Sequence, residues 1–220
     1  MAEKIMEILK KFDCRAVIFD LDGTILDNNS WHLKAWKQYL SRIGRDMTDE
    51  EFNEKLNGRT NKDVVRYLYG SDVSEEEIRK HTMNKEALYR ELYLPDIKPV
   101  VGIIELFELL QQNNIPMGIA TSGVQVNIDF MFEHVPIKKH FKAVVNSSHI
   151  TNGKPHPEIF LKTASMLEVP AEKCLVFEDA VVGINSAGAA GMKIIAITTT
   201  EGRDNLRSAD MIIDDYRELL

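Results

Sequence analysis

Two aspartates lie two positions apart in Asp20-Leu21-Asp22-Gly23-Thr24, directly after the apolar run Ala16-Val17-Ile18-Phe19. An Asp-Gly pair is common in turns, so a plain turn is one account of the string. The other account is chemical, because ligands of open α/β sheets bind just beyond the carboxyl ends of strands. Two carboxylates placed there can divide the work of phosphoryl transfer. One can attack phosphorus and carry the group as an aspartyl-phosphate. The other can give a proton to the leaving oxygen and later take one from the attacking hydroxyl.

A transferring phosphoryl group is highly anionic, so the same string asks for positive charge nearby. Lys154, in Asn152-Gly153-Lys154-Pro155-His156-Pro157, is one source. A single lysine is commonly a solvated surface group, but the surrounding Gly and Pro residues fix the backbone that presents it. A metal is the second source. Glu178-Asp179 follows the apolar run Cys174–Phe177. The pair could cap the next helix. Set beside Asp20, those carboxylates would raise one another's pKa unless a cation joined them. Mg²⁺ suits carboxylate oxygens and phosphate, whereas the six scattered His and two Cys offer no zinc-binding cluster. Thr121-Ser122-Gly123 closes another apolar run and precedes a helical stretch. Its hydroxyls and N–H groups could serve as a helix N-cap or receive a phosphate oxygen.

Short apolar runs must position these residues. They are Ala16–Phe19, Pro116–Ala120, Ala143–Val145, Cys174–Phe177, Lys193–Ile197 and Met211–Ile213. Helical periodicity lies between them, at Val101–Gln112, Val124–Glu133, Pro157–Leu167 and Val181–Ala190. Strands alternating with helices predict an α/β, doubly wound parallel sheet covered on both faces. Residues 28–94 break the alternation. Trp31–Ile43, Thr48–Leu56, Asn61–Tyr69 and Ser74–Tyr93 all read as helices, with capping boxes expected at Thr48 and Ser74. The chain is therefore expected to consist of a core, 1–27 and 95–220, interrupted by a helical insert, 28–94. Residues 2–12 read as an amphipathic helix packing on the core.

Composition narrows the function classes. A net charge of −7, from 27 basic and 34 acidic residues, shows no basic surplus of the kind nucleic-acid binders carry. No apolar run approaches the length of a membrane span. Cys14 and Cys174 fall in or beside apolar runs and read as buried free thiols, which fits a reducing cytoplasm. Nothing in the sequence demands more than a monomer.

Asp20-x-Asp22, Thr121, Lys154 and Glu178-Asp179, in that order, resemble the four motifs of the haloacid dehalogenase-like superfamily. The helical insert resembles the α-helical cap of the branch that contains β-phosphoglucomutases and many small-molecule phosphatases. The resemblance implies a Rossmann-like core with a cap that closes over the substrate, hinged near Asp27-Asn28 and Leu94-Pro95-Asp96. It implies Asp20 as nucleophile and Mg²⁺ ligand, and Asp22 as general acid/base whose backbone carbonyl also binds the ion. Thr121 and Lys154 would hold the phosphoryl group, with Ser122 and Gly123 beside them. Asp179 would bind Mg²⁺, with Glu178 close by or acting through water.

A carboxylate at Asp22 argues against dehalogenation, because the dehalogenases usually lack one there. His32 and Trp36 resemble the start of the mutases' cap helix, although a Trp pair at helical spacing, Trp31 and Trp36, is also ordinary core. Asn57-Gly58-Arg59 resembles the mutases' specificity loop. The sequence departs from it, with Asn57 where Lys is typical, Asn61 where Arg is typical, and Asn28 for the usual hinge Thr. The expectation is a phosphatase acting on a small phosphorylated metabolite such as a sugar phosphate. A β-phosphoglucomutase-like isomerase and a non-catalytic binding protein stand as alternatives.

Overall fold

The computed structural model describes residues 4–220. Six strands form one sheet: β1 Ala16–Phe19, β2 Met117–Ala120, β3 Phe141–Val145, β4 Cys174–Glu178, β5 Lys193–Ile197 and β6 Met211–Ile213. Their order is β3-β2-β1-β4-β5-β6, and every pairing is parallel. Parallel neighbours need crossovers. Helix α6 (Ile103–Gln112) precedes β2, and α7 (Gln125–His134), α8 (Glu158–Leu167) and α9 (Val181–Ala189) lead to β3, β4 and β5.

The pleat of β1 explains why it reads as an unbroken apolar run. Val17 and Phe19 face one core, shared with Leu106 and Phe107 of α6 and Ile128 and Met131 of α7. Ala16 and Ile18 face the other, with Ile159 and Phe160 of α8 and Ile184 and Ala187 of α9. A strand buried on both faces has no position for a polar residue until it ends, and β1 ends at Asp20. From β1 the chain adds β2 and β3 on one side, then returns to β4 on the other. The crevice of a doubly wound sheet opens at that reversal, so Asp20 and the Glu178-Asp179 pair emerge side by side.

The segment between β1 and α6 contains no strand. It carries α2 (Asn29–Ser41), α3 (Asp49–Glu51), a π-helical turn (Phe52–Leu56), α4 (Asn61–Tyr69) and α5 (Glu75–Tyr93). α2 and α5 lie against each other through His32 stacked on Tyr89 at 3.8 Å, Trp31 beside Tyr93 at 5.9 Å, and Tyr39 hydrogen-bonded to His81 at 2.7 Å.

Two local expectations are corrected. Thr48–Leu56 is not one α-helix, because Asn57 N–H donates to Phe52 O at 2.9 Å, five residues back. The wider turn keeps Phe52 and Leu56 both buried and delivers Asn57 to a cavity; such turns gather at functional sites. The capping box at Ser74 is complete, whereas Thr48 only accepts from Glu51 N–H. The Glu51 carboxylate bonds Arg45 at 2.9 Å and Tyr67 at 3.2 Å instead.

Helix α1, Lys4–Phe12, buries Ile5 and Leu9 as its amphipathic pattern predicts, while positions 2 and 3 of that expected helix lie outside the described residues. Among the described residues no helix is long and apolar enough to cross a membrane. Cys14 and Cys174 are free and buried.

Candidate active site

The crevice above β1 and β4 has a floor made of strand ends. Asp20, Glu178 and Asp179 are buried, and their carboxylate oxygens lie within 4.8 Å of one another. Lys154 reaches this group from the loop before α8. Its Nζ donates to Asp20 Oδ1 at 2.7 Å and also bonds Glu178 Oε1. At 2 % exposure Lys154 is not the solvated surface group that a lone lysine usually is. Burial works against its charge, yet Asp20 and Glu178 outweigh that and hold its pKa above the ordinary lysine value.

Two glycines make room for the carboxylates. A Cβ at Gly183 of α9 would stand 1.8 Å from Glu178 Oε1, and one at Gly23, whose φ is +76°, would stand 2.1 Å from Asp179 Oδ2. Glu178 Oε2 accepts the N–H groups of Asp179 and Ala180 at 3.0 and 3.2 Å. Thr24 and Asn29 donate to Asp179 at 3.1 and 2.8 Å. Neither acid caps α9, whose N-cap is Ala180.

Three carboxylates share one ammonium, which leaves two negative charges uncompensated when all ionise. Burial, with Glu178 and Asp22 nearby, pushes the Asp20 carboxyl up to about 8 despite Lys154. Burial, with Glu178 and Asp20, raises Asp179 well above the carboxylate range. An all-oxygen, doubly negative donor set fits a hard divalent cation. Glu178 and Asp179 each have both oxygens in hydrogen bonds, so Asp20 Oδ2 is the freest donor of the three.

Thr121 is 1 % exposed, and its Oγ accepts the N–H of Gly123 at 2.9 Å. The N-cap of α7 is Val124, so Thr121 does not cap that helix and lines the cavity instead. Ser122 Oγ donates to Gly58 O at 2.9 Å, tying the strand end to the helical segment above.

Asp22 belongs to both layers. Asn28, fully buried, donates to Asp22 Oδ1 and to Tyr89 Oη, each at 2.6 Å, and accepts the Gly23 N–H at 3.0 Å. His32 Nε2 stands 3.4 Å from Asp22 Oδ1. Its Nδ1 lies 2.7 Å from Lys85 Nζ. An ammonium only donates, so Nδ1 accepts and the ring proton sits on Nε2, facing Asp22. Burial opposes the charge of Asp22, but His32, Asn28 and Lys85 overcome it and lower its pKa.

The expected residues Asp20, Asp22, Asp179, Thr121, Ser122, Gly123, His32, Trp36, Asn57, Gly58 and Arg59 all line one cavity. Lys154 and Glu178 adjoin it through Asp20. Trp36 is 3 % exposed and lies 5.2 Å from the Lys85 ammonium, so it serves as core and as lining at once.

Sequence reasoning did not place Asn28, Asn29, Asn61, Lys85, Glu86 or Asn127 at the site, although each meets the cavity or Asp22. Lys85 and Glu86 pair at 2.9 Å, and each is 2 % exposed. Asn61 and Asn127 donate to Glu86 at 2.8 and 2.7 Å, and Arg90 donates to Asn127 at 2.9 Å. A signal was present. Along α5 the buried positions run Ile78, Thr82, Lys85, Glu86, Leu88, Tyr89 and Tyr93, so a charged pair falls on the helix's inner face.

Known proteins resemble this chain in sequence and fold. A family profile described as haloacid dehalogenase-like hydrolase matches residues 17–197. A β-phosphoglucomutase of Bacillus subtilis is 30% identical, over 93% of this chain and 91% of its own. A fructose-1-phosphate phosphatase of Escherichia coli is 29% identical, over 82% of this chain and 95% of its own. The crystal structure of a HAD hydrolase of family IA from Entamoeba histolytica superposes with a TM-score of 0.84 at 34% identity, covering 94% of this chain and 95% of that one. With a profile spanning most of its length, the chain belongs to the haloacid dehalogenase-like hydrolases.

Proposed function

We propose that the protein is a Mg²⁺-dependent phosphatase that hydrolyses a small phosphorylated metabolite, such as a sugar phosphate, through an aspartyl-phosphate on Asp20. The observation that carries this reading is the cluster of three buried carboxylates with a single lysine, open to a cavity at the end of the central strand. Asp20, the backbone carbonyl of Asp22, and Asp179 would hold the ion, with Glu178 beside them. When bound, Mg²⁺ supplies the positive charge that the cluster lacks and neutralises phosphoryl oxygens.

Lys154 occupies Asp20 Oδ1, which leaves Oδ2 to attack phosphorus. Thr121 and Lys154 hold the phosphoryl oxygens, with Ser122 and Gly123 alongside. As the Asp20–phosphorus bond forms, the bond to the leaving oxygen breaks and Asp22 delivers a proton to that oxygen. Asp22 is held ionised in the absence of substrate. A dianionic phosphate arriving beside it raises its proton affinity, and His32 Nε2–H faces it. In the second half Asp22 takes a proton from water, the water oxygen attacks phosphorus, and Asp20 departs as a carboxylate. The helices of 28–94 act as a cap, shielding the intermediate and then opening for product release.

Phosphate release from phenyl phosphate, measured with Mg²⁺ and again after chelation, tests this reading. Activity that disappears with the metal and in Asp20→Asn supports it. An Asp20→Asn variant with wild-type turnover would falsify it and leave the binding-protein alternative. The β-phosphoglucomutase relative keeps the isomerase as a second reading. Incubation with β-glucose 1-phosphate and a trace of the bisphosphate separates the two, since rapid formation of glucose 6-phosphate with little free phosphate would establish the mutase.

A further inference from the structure

Lys154 reaches the floor on a loop that is braced by the core. Glu158 accepts the N–H groups of Thr151 and Asn152 at 2.8 and 2.9 Å. His156 N–H donates to Gly153 O at 3.0 Å, and Ser186 of α9 donates to His156 O at 2.7 Å. The same loop also meets the start of α4 in the helical segment. A Cβ at Gly153 would stand 2.8 Å from Thr60 Cγ2 and 2.9 Å from Asp63 Oδ2, closer than a Cβ atom tolerates. Gly153 does not have a positive φ, so a left-handed backbone is not what calls for glycine there. The neighbouring helix is.

Thr60 has little freedom to yield. It is 8 % exposed, and its hydroxyl caps α4, accepting the Asp63 N–H at 3.2 Å and donating to Asp63 Oδ2 at 2.6 Å. Turning its methyl away would break that cap. Asp63 is exposed, and its carboxylate can turn outward. Two further contacts seat the residues just before α4. Ser122 Oγ donates to Gly58 O at 2.9 Å, and a Cβ at Gly58 would stand 2.5 Å from Val182 Cγ1. Residues 58–63 therefore rest on three core pieces that adjoin the reacting groups. These are the end of β2 beside Thr121, the loop that carries Lys154, and the start of α9 after Glu178-Asp179.

We infer that Gly153 is a positioning residue for phosphoryl transfer: its bare backbone is the seat on which the N-terminus of α4 closes, so the closed helical segment and the Lys154 ammonium take up their places together. A side chain at this position would either hold the segment off the core or push the loop and draw Lys154 Nζ away from Asp20 Oδ1. Either displacement separates groups that must meet within hydrogen-bond distance. The inference rests on the phosphatase reading, in which residues 28–94 close over the site, and it adds the contact through which closure reaches Lys154.

The test measures phosphate release from phenyl phosphate by the full chain with Mg²⁺, in wild type, Gly153→Ala, Thr60→Ser and the double variant. Thr60→Ser keeps the capping hydroxyl and removes the methyl, which makes room for the added Cβ. G153A should lose kcat/KM on the order of tenfold. T60S should stay within about twofold of wild type, because the cap is kept, and the double variant should regain most of the loss. Amide hydrogen exchange in α4, followed without Mg²⁺ or substrate, should quicken in G153A and slow again in the double variant. A G153A enzyme with wild-type kcat/KM, or a loss that T60S does not relieve, overturns the inference. Should G153A alone fail to fold, the double variant decides: turnover near that of wild type supports the seat, and poor turnover overturns it. If wild type hydrolyses phenyl phosphate and the variants break this pattern, this inference alone falls. If wild type does not hydrolyse it at all, the phosphatase reading falls and takes this one with it.

Discussion

The cavity's floor and its helical roof are both buried and both charged, yet they are built in opposite ways. The floor draws Asp20, Thr121 and Glu178-Asp179 from the ends of β1, β2 and β4, and one lysine is shared between two of the acids. Its charges are unbalanced. The roof's buried Lys85 and Glu86 pair with each other, and Glu86 has two further amide donors, while Arg59 stands half-buried at the rim. A region with two excess negative charges can take up a cation, and on the proposed reading a phosphate with it, whereas a paired Lys–Glu holds a shape. Floor substitutions should therefore damage chemistry first, and roof substitutions should damage closure or selectivity first.

Lys154→Met is the most severe test of that division. It removes the floor's only ammonium and leaves three buried carboxylates. Breaking such a buried pair costs about 3–5 kcal/mol, and loss of phosphoryl stabilisation lowers kcat on the order of 10²–10³-fold. Thermal unfolding and phosphate release measure the two effects. Near-normal turnover would show that the floor does not act as a unit.

Gly183→Ala should have the next largest effect. The added methyl would occupy the place of Glu178 Oε1, so either α9 or the carboxylate must move. Overpacking of this kind costs about 1–3 kcal/mol. Because Glu178 is tied to Lys154 and thereby to Asp20, kcat should fall as well as stability, on the order of tenfold for about 1.4 kcal/mol of lost transition-state stabilisation. A stability loss with kcat unchanged would mean that Glu178 is structural only.

The same contrast decides what could be read from the sequence. The inner strands β2, β1, β4 and β5 were legible because strands buried on both faces are continuous apolar runs, whereas the edge strands β3 and β6 are only partly buried and showed as the short runs Ala143–Val145 and Met211–Ile213. The floor's acids were legible because they stand at the ends of those runs. Lys154 was harder, since no strand presents it, and only its order among the other motifs singled it out. The roof was legible as helices but not as a site. Lys85 and Glu86 meet Asn61 and Asn127 from separate segments, and no local string joins them. Asn28 read as a hinge position, yet its side chain bridges Asp22, Gly23 and Tyr89. The π-turn escaped because Phe52 and Leu56 have ordinary α-helical spacing.

Asn127→Ala probes the roof. Asn127, on the core helix α7, is held by Glu86 and Arg90 of α5, which lie one helical turn apart. Removing it leaves a buried carboxylate one donor short, at about 1–3 kcal/mol. Hydrogen exchange should quicken across residues 85–90, while β1 and β4 keep their protection. Loss of protection in the strands instead would mean that roof and floor unfold together, and would break the comparison.

The smallest effect, and the finest discrimination, lies in how each layer responds to pH. On the floor, Asp20 titrates near 8 in the folded chain without metal and near 3.8 when unfolded. Between those values the folded state holds a proton that the unfolded state has released. The stability from this group is therefore complete below about pH 4 and is lost as pH rises through about 8. Asp179 is shifted in the same direction. On the roof the sign reverses. Burial opposes the charge of Glu86, but Lys85, His32 and Asn127 lower its pKa below the ordinary 4.5. Its contribution is present above that value and is lost as acid drives pH down through the folded pKa. In chelator the melting temperature should decline from about pH 5 to about pH 8, and Mg²⁺ should restore more of it at the upper end, because a bound cation favours the ionised floor. Exchange protection in α5 should hold across that range and weaken only below the ordinary carboxylate pKa of 4.5. A melting temperature that rises with pH in chelator would mean that the floor's charges are already balanced without a metal, and the distinction between the two layers would be lost.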